Sequence, residues 1–125
     1  MKKIIFTGNA PPPIGPYSQA VLINGTLYCS GQIAADCLDG GIATQTEAAC
    51  KNISAVLQAA NMELHDVVKT TCFLADMAYF GEFNEVYESY FSHKPARSCV
   101  AVKELPKGAL VEIEVLAVVP ALTDQ

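Results

Sequence analysis

The chain has 125 residues, of which 51% are hydrophobic and 17% charged, so it is long enough and apolar enough to fold as one domain over residues 1–125. Its formal net charge is −5, its pI is about 4.8, and no run of Lys or Arg is longer than Lys2-Lys3. Because nucleic-acid binders depend on cationic contacts to phosphates, we do not expect nucleic acid as the main partner.

Neither a secretory signal nor a membrane span is predicted. The apolar stretch after Lys3 ends at Phe6, which is too short for a signal peptide, and no apolar run approaches the length of a transmembrane helix. The five cysteines are odd in number and include no Cys-x-x-Cys pair, which fits neither a disulfide framework nor a zinc site. We therefore expect a cytoplasmic protein with no membrane partner, no metal and no cofactor.

The first third of the chain reads as strands. Lys2–Phe6 is the first predicted strand, and the Pro-rich residues 10–16 form a rigid loop after it. Tyr17–Ile23 and Thr26–Gly31 flank the Asn-Gly dipeptide at 24–25, which is the strongest short signal for a β-hairpin.

A helix is predicted after the polar loop that ends at Gly41. Thr44 and Glu47 stand at the spacing of a capping box, and Asn61 is suited to a left-handed residue at the helix end. The apolar residues between them recur on one helical face: Ala49, Ile53, Val56, Leu57 and Ala60.

The second half adds three strands and another helix. Residues 66–76 are apolar and β-branched, Asp76 is placed to cap an aromatic-rich helix, and Pro95 ends that helix. Ser98–Lys103 and Leu110–Val119 are the last two predicted strands. The order β-β-β-α-β-α-β-β predicts an α+β sandwich of two layers, in which two helices cover one face of a mixed sheet.

The last strand has one fully apolar face, which should lie under the helices: Val111, Ile113, Val115, Ala117 and Val119. The other face carries Glu112 and Glu114 between apolar residues at both ends: Leu110, Leu116 and Val118. The hairpin should add Leu22 and Tyr28 to this second face. A two-layer domain cannot cover such a face alone, so we expect another chain to cover it.

The preceding strand places Arg97, Cys99 and Ala101 on one face, which we expect to adjoin the surface that carries Glu112. On spacing alone, an ordinary exposed ion pair accounts for Arg97 and the glutamates as well as a functional site does. Beside an apolar surface that a second chain covers, however, both charges would be partly desolvated and would need partners.

Six separated segments resemble the RidA (YjgF) family of reactive-intermediate deaminases. They are IGPYSQA (14–20), SGQI (30–33), KTTCFLAD (69–76), NEVYESYF (84–91), PARSCV (95–100) and LPKGALVEIE (105–114). The resemblance runs from about residue 7 to about residue 119. It implies a homotrimer of chorismate-mutase-like subunits with sites in the clefts between subunits.

The resemblance also implies a reaction. It is the hydrolysis of 2-imino acids such as 2-iminopropanoate and 2-iminobutanoate, with their enamine tautomers, to 2-keto acids and ammonia. Arg97 would hold the substrate carboxylate, and Glu112 would orient and deprotonate the attacking water. Tyr17 would close the cleft and form a hydrogen bond near the substrate.

Four further residues match the family's binding site on this resemblance. Ser30 and Gly31 would line the site, Asn84 would lie at the edge of the cleft, and Cys99 would form part of its wall. No histidine is close in sequence to Cys99 or Ser30, which disfavours either as a nucleophile. Two other functions stay open, namely an endoribonuclease-like activity and a non-catalytic protein that binds small carboxylates or protects other proteins.

Overall fold

The structure is a computed structural model that describes residues 1–119 and consists of a six-stranded sheet with two α-helices. The strands are β1 (Lys2–Ile5), β2 (Ala20–Ile23), β3 (Thr26–Cys29), β4 (Val67–Leu74), β5 (Ala96–Ala101) and β6 (Val111–Val118). The helices are α1 (Ile42–Ala59) and α2 (Phe80–Tyr90), with single 3₁₀ turns at Leu64–Asp66, Met77–Tyr79 and Pro106–Gly108.

The strands are arranged in the order β1-β2-β3-β6-β4-β5. Only β4 and β5 run parallel, and α2 provides the crossover between them. Every other neighbouring pair is antiparallel. The predicted element order, the mixed sheet and the α+β fold with two helices packed on the sheet are therefore confirmed. No helix within residues 1–119 is both long and apolar enough to cross a bilayer.

The core lies between the helices and one face of the sheet. As predicted, β6 buries alternate residues there, with partners from both helices: Val111, Ile113, Val115, Ala117, Ile53, Leu57 and Phe83. The prediction for Val119 was wrong, because β6 ends at Val118 and the Val119 side chain remains 50% exposed.

The predicted hairpin is present, with strands shorter than expected. Asn24 and Gly25 have φ angles of 51° and 79°, the left-handed pair that a two-residue turn with the natural strand twist requires. Backbone pairing continues one step past the strand ends, where the Ser30 N–H donates to the Gln19 carbonyl over 2.9 Å.

The start of α1 differs from the prediction. Gly41 is the N-cap, so Thr44 lies inside the first turn and cannot form a capping box with Glu47. The buried side chain of Gln45 ties this end of the helix to the preceding loop, since its amide donates to the carbonyls of Leu38 and Gly40.

The other end of α1 is as predicted. Asn61 has a φ of 59°, and the N–H of Met62 donates to the Leu57 carbonyl over 2.9 Å, which closes a Schellman motif. At the second helix, the carboxylate of Asp76 accepts a hydrogen bond of 2.8 Å from the Ala78 N–H and so caps the 3₁₀ turn that leads into α2.

The sheet face opposite the helices is uncovered in a single chain. A row of side chains crosses it through successive strand partners: Ile4, Val21, Tyr28 and Leu116. Ile4 is 62% exposed and Tyr28 is 51% exposed. The prediction for Tyr28 is confirmed, whereas that for Leu22 was wrong, because Leu22 packs against the core on the helix side. We refer to this row and its neighbours on the strands as the open face.

Candidate active site

Glu112 lies on the open face, opposite Phe73 of β4, and its side chain passes directly over Gly31. A Cβ atom at position 31 would lie 2.8 Å from the Cδ and 2.9 Å from the Cγ of Glu112, closer than non-bonded atoms approach. Any side chain at position 31 would therefore displace the Glu112 carboxylate from its present position.

The environment of Glu112 changes its acidity. Burial, and to a smaller extent the charge of Glu114 two residues along the strand, raises the pKa of the Glu112 carboxyl above its ordinary value. A raised pKa makes this carboxylate a stronger base than an exposed glutamate at the same pH.

Glu112 forms one wall of a cleft of about 360 Å³. The other residues that line it come from three loops: Tyr17, Ser30, Gly31, Ile33 and Pro106. The fold thus brings together four of the seven predicted site residues, although the strands and loops that carry them are far apart in sequence.

Tyr17 stands at the mouth of this cleft with its side chain 51% exposed. A tight turn precedes it, in which the Tyr17 N–H donates to the Gly15 carbonyl over 2.9 Å and Gly15 adopts a φ of 131°. The phenol oxygen accepts a long hydrogen bond of 3.4 Å from the Ile14 N–H. The ring is therefore folded back over its own loop and faces solvent on one side.

Gln19 fixes the shape of the Pro-rich loop, a role that the sequence did not reveal. Its side chain is 2% exposed. Its carbonyl oxygen accepts from the Thr7 N–H over 2.7 Å, and its amide donates to the carbonyls of Thr7 (3.1 Å) and Pro11 (2.9 Å). A buried polar side chain that binds backbone groups in this way holds the loop in one conformation. No local sequence pattern distinguishes it from an exposed glutamine.

Ser30 also forms a structural hydrogen bond. Its hydroxyl donates to the Ser18 carbonyl over 2.6 Å, which joins the loop after β3 to the loop before β2. The hydroxyl oxygen lines the cleft but its proton is engaged, so it is not poised to act as a nucleophile.

Arg97 lies on the opposite face of the sheet, which corrects the prediction that its face adjoins the surface of Glu112. Strand β5 begins at Ala96 instead of Ser98, and Arg97 points toward α2. One guanidinium nitrogen donates to the Asn84 side-chain oxygen over 2.8 Å. The Cζ atom lies 4.8 Å from the ring centre of Tyr87 and within 6 Å of two more rings, those of Phe80 (5.4 Å) and Phe83 (5.9 Å).

Asn84 and Arg97 line a second cleft, of about 310 Å³, between α2 and β5. Along β4, the strand partner of Arg97 is Thr70 and that of Glu112 is Phe73. The two site residues are thus separated by roughly 10 Å along the strands and roughly 10 Å across them, on opposite faces. Within one chain, a small substrate cannot contact both side chains.

Cys99 lies beside Arg97 on the helix side of β5 and packs against the core. Burial raises the pKa of the Cys99 thiol, and the nearby Arg97 only partly opposes that shift. The thiol is therefore protonated at neutral pH and is a poor nucleophile.

The two histidines lie in a third cleft, near the C-terminal ends of both helices. Their rings are 6.0 Å apart, and a ring nitrogen of His93 bonds to the Val67 carbonyl over 2.8 Å. In the part of the chain that the structure describes, no group of three or more His, Cys, Asp or Glu side chains is arranged to hold a metal ion.

Known proteins match this chain over almost its whole length. A RutC family protein of Pyrococcus horikoshii is 49% identical over 94% of this chain and 98% of its own length. The human protein named 2-iminobutanoate/2-iminopropanoate deaminase is 45% identical over 98% of this chain and 94% of its own length.

Solved structures and family profiles agree with these matches. The crystal structure of RidA from an Antarctic Psychrobacter is 40% identical and superposes with a TM-score of 0.89, covering 94% of this chain and 99% of that one. The family profile described as Endoribonuclease L-PSP matches residues 7–119. This chain therefore belongs to the RidA (YjgF) family.

Proposed function

We propose that the protein hydrolyses small 2-imino acids, including 2-iminopropanoate and 2-iminobutanoate and their enamine tautomers, to 2-keto acids and ammonia. The observation that carries the proposal is the half-buried Glu112 carboxylate, which has a raised pKa and lies in a cleft that Tyr17 also lines. The name of the human relative, which is 45% identical, supports the same chemistry.

The proposed reaction needs a cation that binds the substrate carboxylate, and Arg97 supplies it. Its guanidinium is planar and carries five N–H donors, of which one is used on Asn84. The remaining donors can bind a carboxylate with two parallel hydrogen bonds, which fixes both the position and the plane of a small ligand.

Glu112 supplies the base. It accepts a proton from water as the water oxygen bonds to the carbon of the protonated imine (C=NH2+), and the C=N electron pair moves to the nitrogen, which becomes a neutral amine. Glu112 then returns this proton to the nitrogen of the carbinolamine, and the C–N bond breaks as the hydroxyl oxygen forms the C=O bond. The hydroxyl proton leaves with the ammonia through Glu112, so that one protonated imino acid and one water give one keto acid and one ammonium ion.

We further propose that the working form is a homotrimer in which a site takes Arg97 from one subunit and Glu112 from its neighbour. Two features support this assembly. The open face leaves apolar side chains such as Ile4 and Tyr28 exposed in one chain, with Leu116 partly exposed beside Tyr28. In addition, Arg97 and Glu112 of one chain lie on opposite faces of the sheet.

Subunit mixing tests the shared site. Co-expressed Arg97→Ala and Glu112→Gln chains, each inactive alone, should regain about a quarter of the wild-type activity, because random pairing reunites the two intact residues in that share of the interfaces. A mixture with no activity, formed from well-folded trimers, would contradict a site shared between subunits.

Imine hydrolysis itself is tested with 2-aminoacrylate generated in situ by a serine dehydratase. Wild-type protein should accelerate the loss of imine and the release of ammonia. A non-catalytic carboxylate binder would retain keto acid without accelerating either.

Endoribonuclease activity is the third outcome, and the net charge of −5 disfavours it because the protein would repel the RNA backbone. We place the reaction in the cytoplasm.

A further inference from the structure

The ring beneath Arg97 packs against two other aromatic rings. Tyr87 of α2 is stacked against Phe91 at 4.7 Å between ring centres and is tilted against Phe83 at 5.4 Å. Its own ring is the aromatic surface closest to the guanidinium, at 4.8 Å. A shift of this ring would therefore change the aromatic surface nearest the guanidinium.

One hydrogen bond joins that ring to the sheet. The hydroxyls of Tyr87 and Thr70 are 2.7 Å apart in the core, and Thr70 is fully buried. Burial raises the pKa of the Tyr87 phenol, so its proton is retained and the bond between the two hydroxyls persists at all physiological pH values.

Thr70 is also the direct strand partner of Arg97. The two residues face each other across the parallel pair β4–β5, with side chains on the same side of the sheet. Tyr87 thus reaches from α2 to both strands: its hydroxyl bonds to β4, and its ring face lies under the side chain from β5. Tyr87 therefore joins α2 to β4 and β5 next to the guanidinium of Arg97.

We propose that Tyr87, anchored by Thr70, is a positioning residue that holds the guanidinium of Arg97 in the orientation that binds the substrate carboxylate. This inference rests on the proposed function. Asn84 binds one nitrogen of the guanidinium, and the Tyr87 ring lies 4.8 Å from its Cζ atom, so these two contacts together restrict how the remaining donors can point. Neither Tyr87 nor Thr70 needs to touch the substrate to have this effect.

Four variants test the proposal by kinetics. Tyr87→Phe and Thr70→Val keep shape but remove one hydroxyl each, and both should raise KM for the imine about fivefold, the ratio expected for one hydrogen bond, with kcat little changed. Combining them should add nothing, because they break the same bond. Thr70→Ser keeps the hydroxyl and should behave as wild type. Tyr90→Phe is the matched control, because Tyr90 lines the histidine cleft instead.

Arginine NMR provides a readout that does not depend on activity. Arg97 is the only arginine of the chain, so its side-chain Nε–H signal is assigned without ambiguity. That signal should be sharp in wild type, Thr70→Ser and Tyr90→Phe, and broadened in Tyr87→Phe and Thr70→Val, where the guanidinium is free to reorient.

The outcomes separate the two proposals. Unchanged KM and an unchanged Arg97 signal in Tyr87→Phe and Thr70→Val, with active wild-type protein, would overturn the positioning role and leave the proposed function standing. A lower Tm with no change in KM would likewise overturn it, because that is the result of a purely structural bond. A wild-type protein without imine hydrolysis would remove the proposed function, and the positioning role with it.

Discussion

The side chain of Glu112 occupies the space where any residue other than glycine at position 31 would place its Cβ. Gly31 belongs to the loop that follows β3, and Glu112 to β6, the strand that pairs with β3. The backbone of one element and the carboxylate of another are thus in contact, and this contact places the proposed base against the wall of its cleft.

Gly31→Ala should displace the Glu112 carboxylate without unfolding the chain. The added methyl group would overlap the Cγ and Cδ of Glu112, and the flexible side chain is the part that yields. We expect kcat to fall about 100-fold, the size of effect that misplacing a catalytic group produces. Gly81→Ala is the control, because no atom lies within 4 Å of a Cβ there. Full activity in Gly31→Ala would show that the position of Glu112 is not critical.

Arg97→Lys should abolish most of the imine hydrolysis. Lysine preserves the charge and the attraction to the rings of α2, but it cannot form two parallel hydrogen bonds to a carboxylate. We expect kcat/KM to fall at least about 100-fold, the loss of roughly two charge-assisted hydrogen bonds. Circular dichroism and Tm should match wild type. Near-normal turnover in this variant would exclude the carboxylate-binding role.

Glu112→Gln should lower kcat while binding of a keto-acid product is retained, because the amide keeps the shape and cannot accept the proton. It should also raise stability at neutral pH. A carboxyl whose pKa is raised on folding contributes stability below its ordinary pKa of 4.5 and loses it as the pH rises through the folded value. The Tm advantage of the variant should therefore be present at pH 7 and absent near pH 4.

The control for Glu112→Gln is Glu104→Gln, which makes the same replacement of a carboxylate by an amide at an exposed position. It should alter neither kcat nor the pH dependence of Tm. If Glu112→Gln weakens product binding and leaves kcat intact, Glu112 binds the substrate and another group is the base.

Cys99→Ser should retain most of the activity. The thiol is protonated at neutral pH because burial raises its pKa, and the proposed reaction forms no covalent intermediate with it. Turnover and mass spectrometry after incubation with substrate are the measurements. An inactive serine variant, together with substrate attached to Cys99 in the wild type, would reverse this assignment.

Leu116→Asp should break the proposed trimer and its activity together. Leu116 lies on the open face beside Tyr28, and burial of each large aliphatic side chain stabilises an interface by roughly 1.5–3 kcal/mol. Light scattering of wild type should give about 40 kDa, three times the chain mass of 13.3 kDa. Met77→Asp, an exposed apolar residue at the start of a helix, is the control. A folded, fully active monomer would contradict both the interface and the shared site.

The sequence predicted elements whose signals are local. The hairpin follows from Asn24 and Gly25, because the dihedral angles that the turn demands are those that these residues adopt most easily. The faces of β6 follow from strict alternation of apolar residues with Glu112 and Glu114. Glu112 and the three predicted residues around it, Tyr17, Ser30 and Gly31, could be grouped through the family resemblance, and they line one cleft in the structure.

The face of Arg97 could not be read in the same way. Strand β5 lies at the sheet edge, and its two faces differ little in polarity, with Arg97, Cys99 and Ala101 on one and Ser98 and Val100 on the other. Without a contrast in hydrophobicity, only the packing of α2 decides which face turns inward. The predicted capping box of Thr44 and Glu47 was wrong because contacts outside the helix also decide where α1 begins. Gln45 binds the carbonyls of the preceding loop, which is not part of the helix.

The anchoring of the Pro-rich loop by Gln19 has a thermodynamic consequence. Because three hydrogen bonds hold the loop to one buried side chain, the segment that carries Tyr17 is already ordered before a ligand arrives. A ligand of only a few heavy atoms can offer little binding energy, and it would bind poorly if it first had to freeze a flexible loop. Preorganisation by Gln19 would spare the proposed imino-acid substrate that entropic cost when it enters the cleft lined by Tyr17, Ser30 and Glu112.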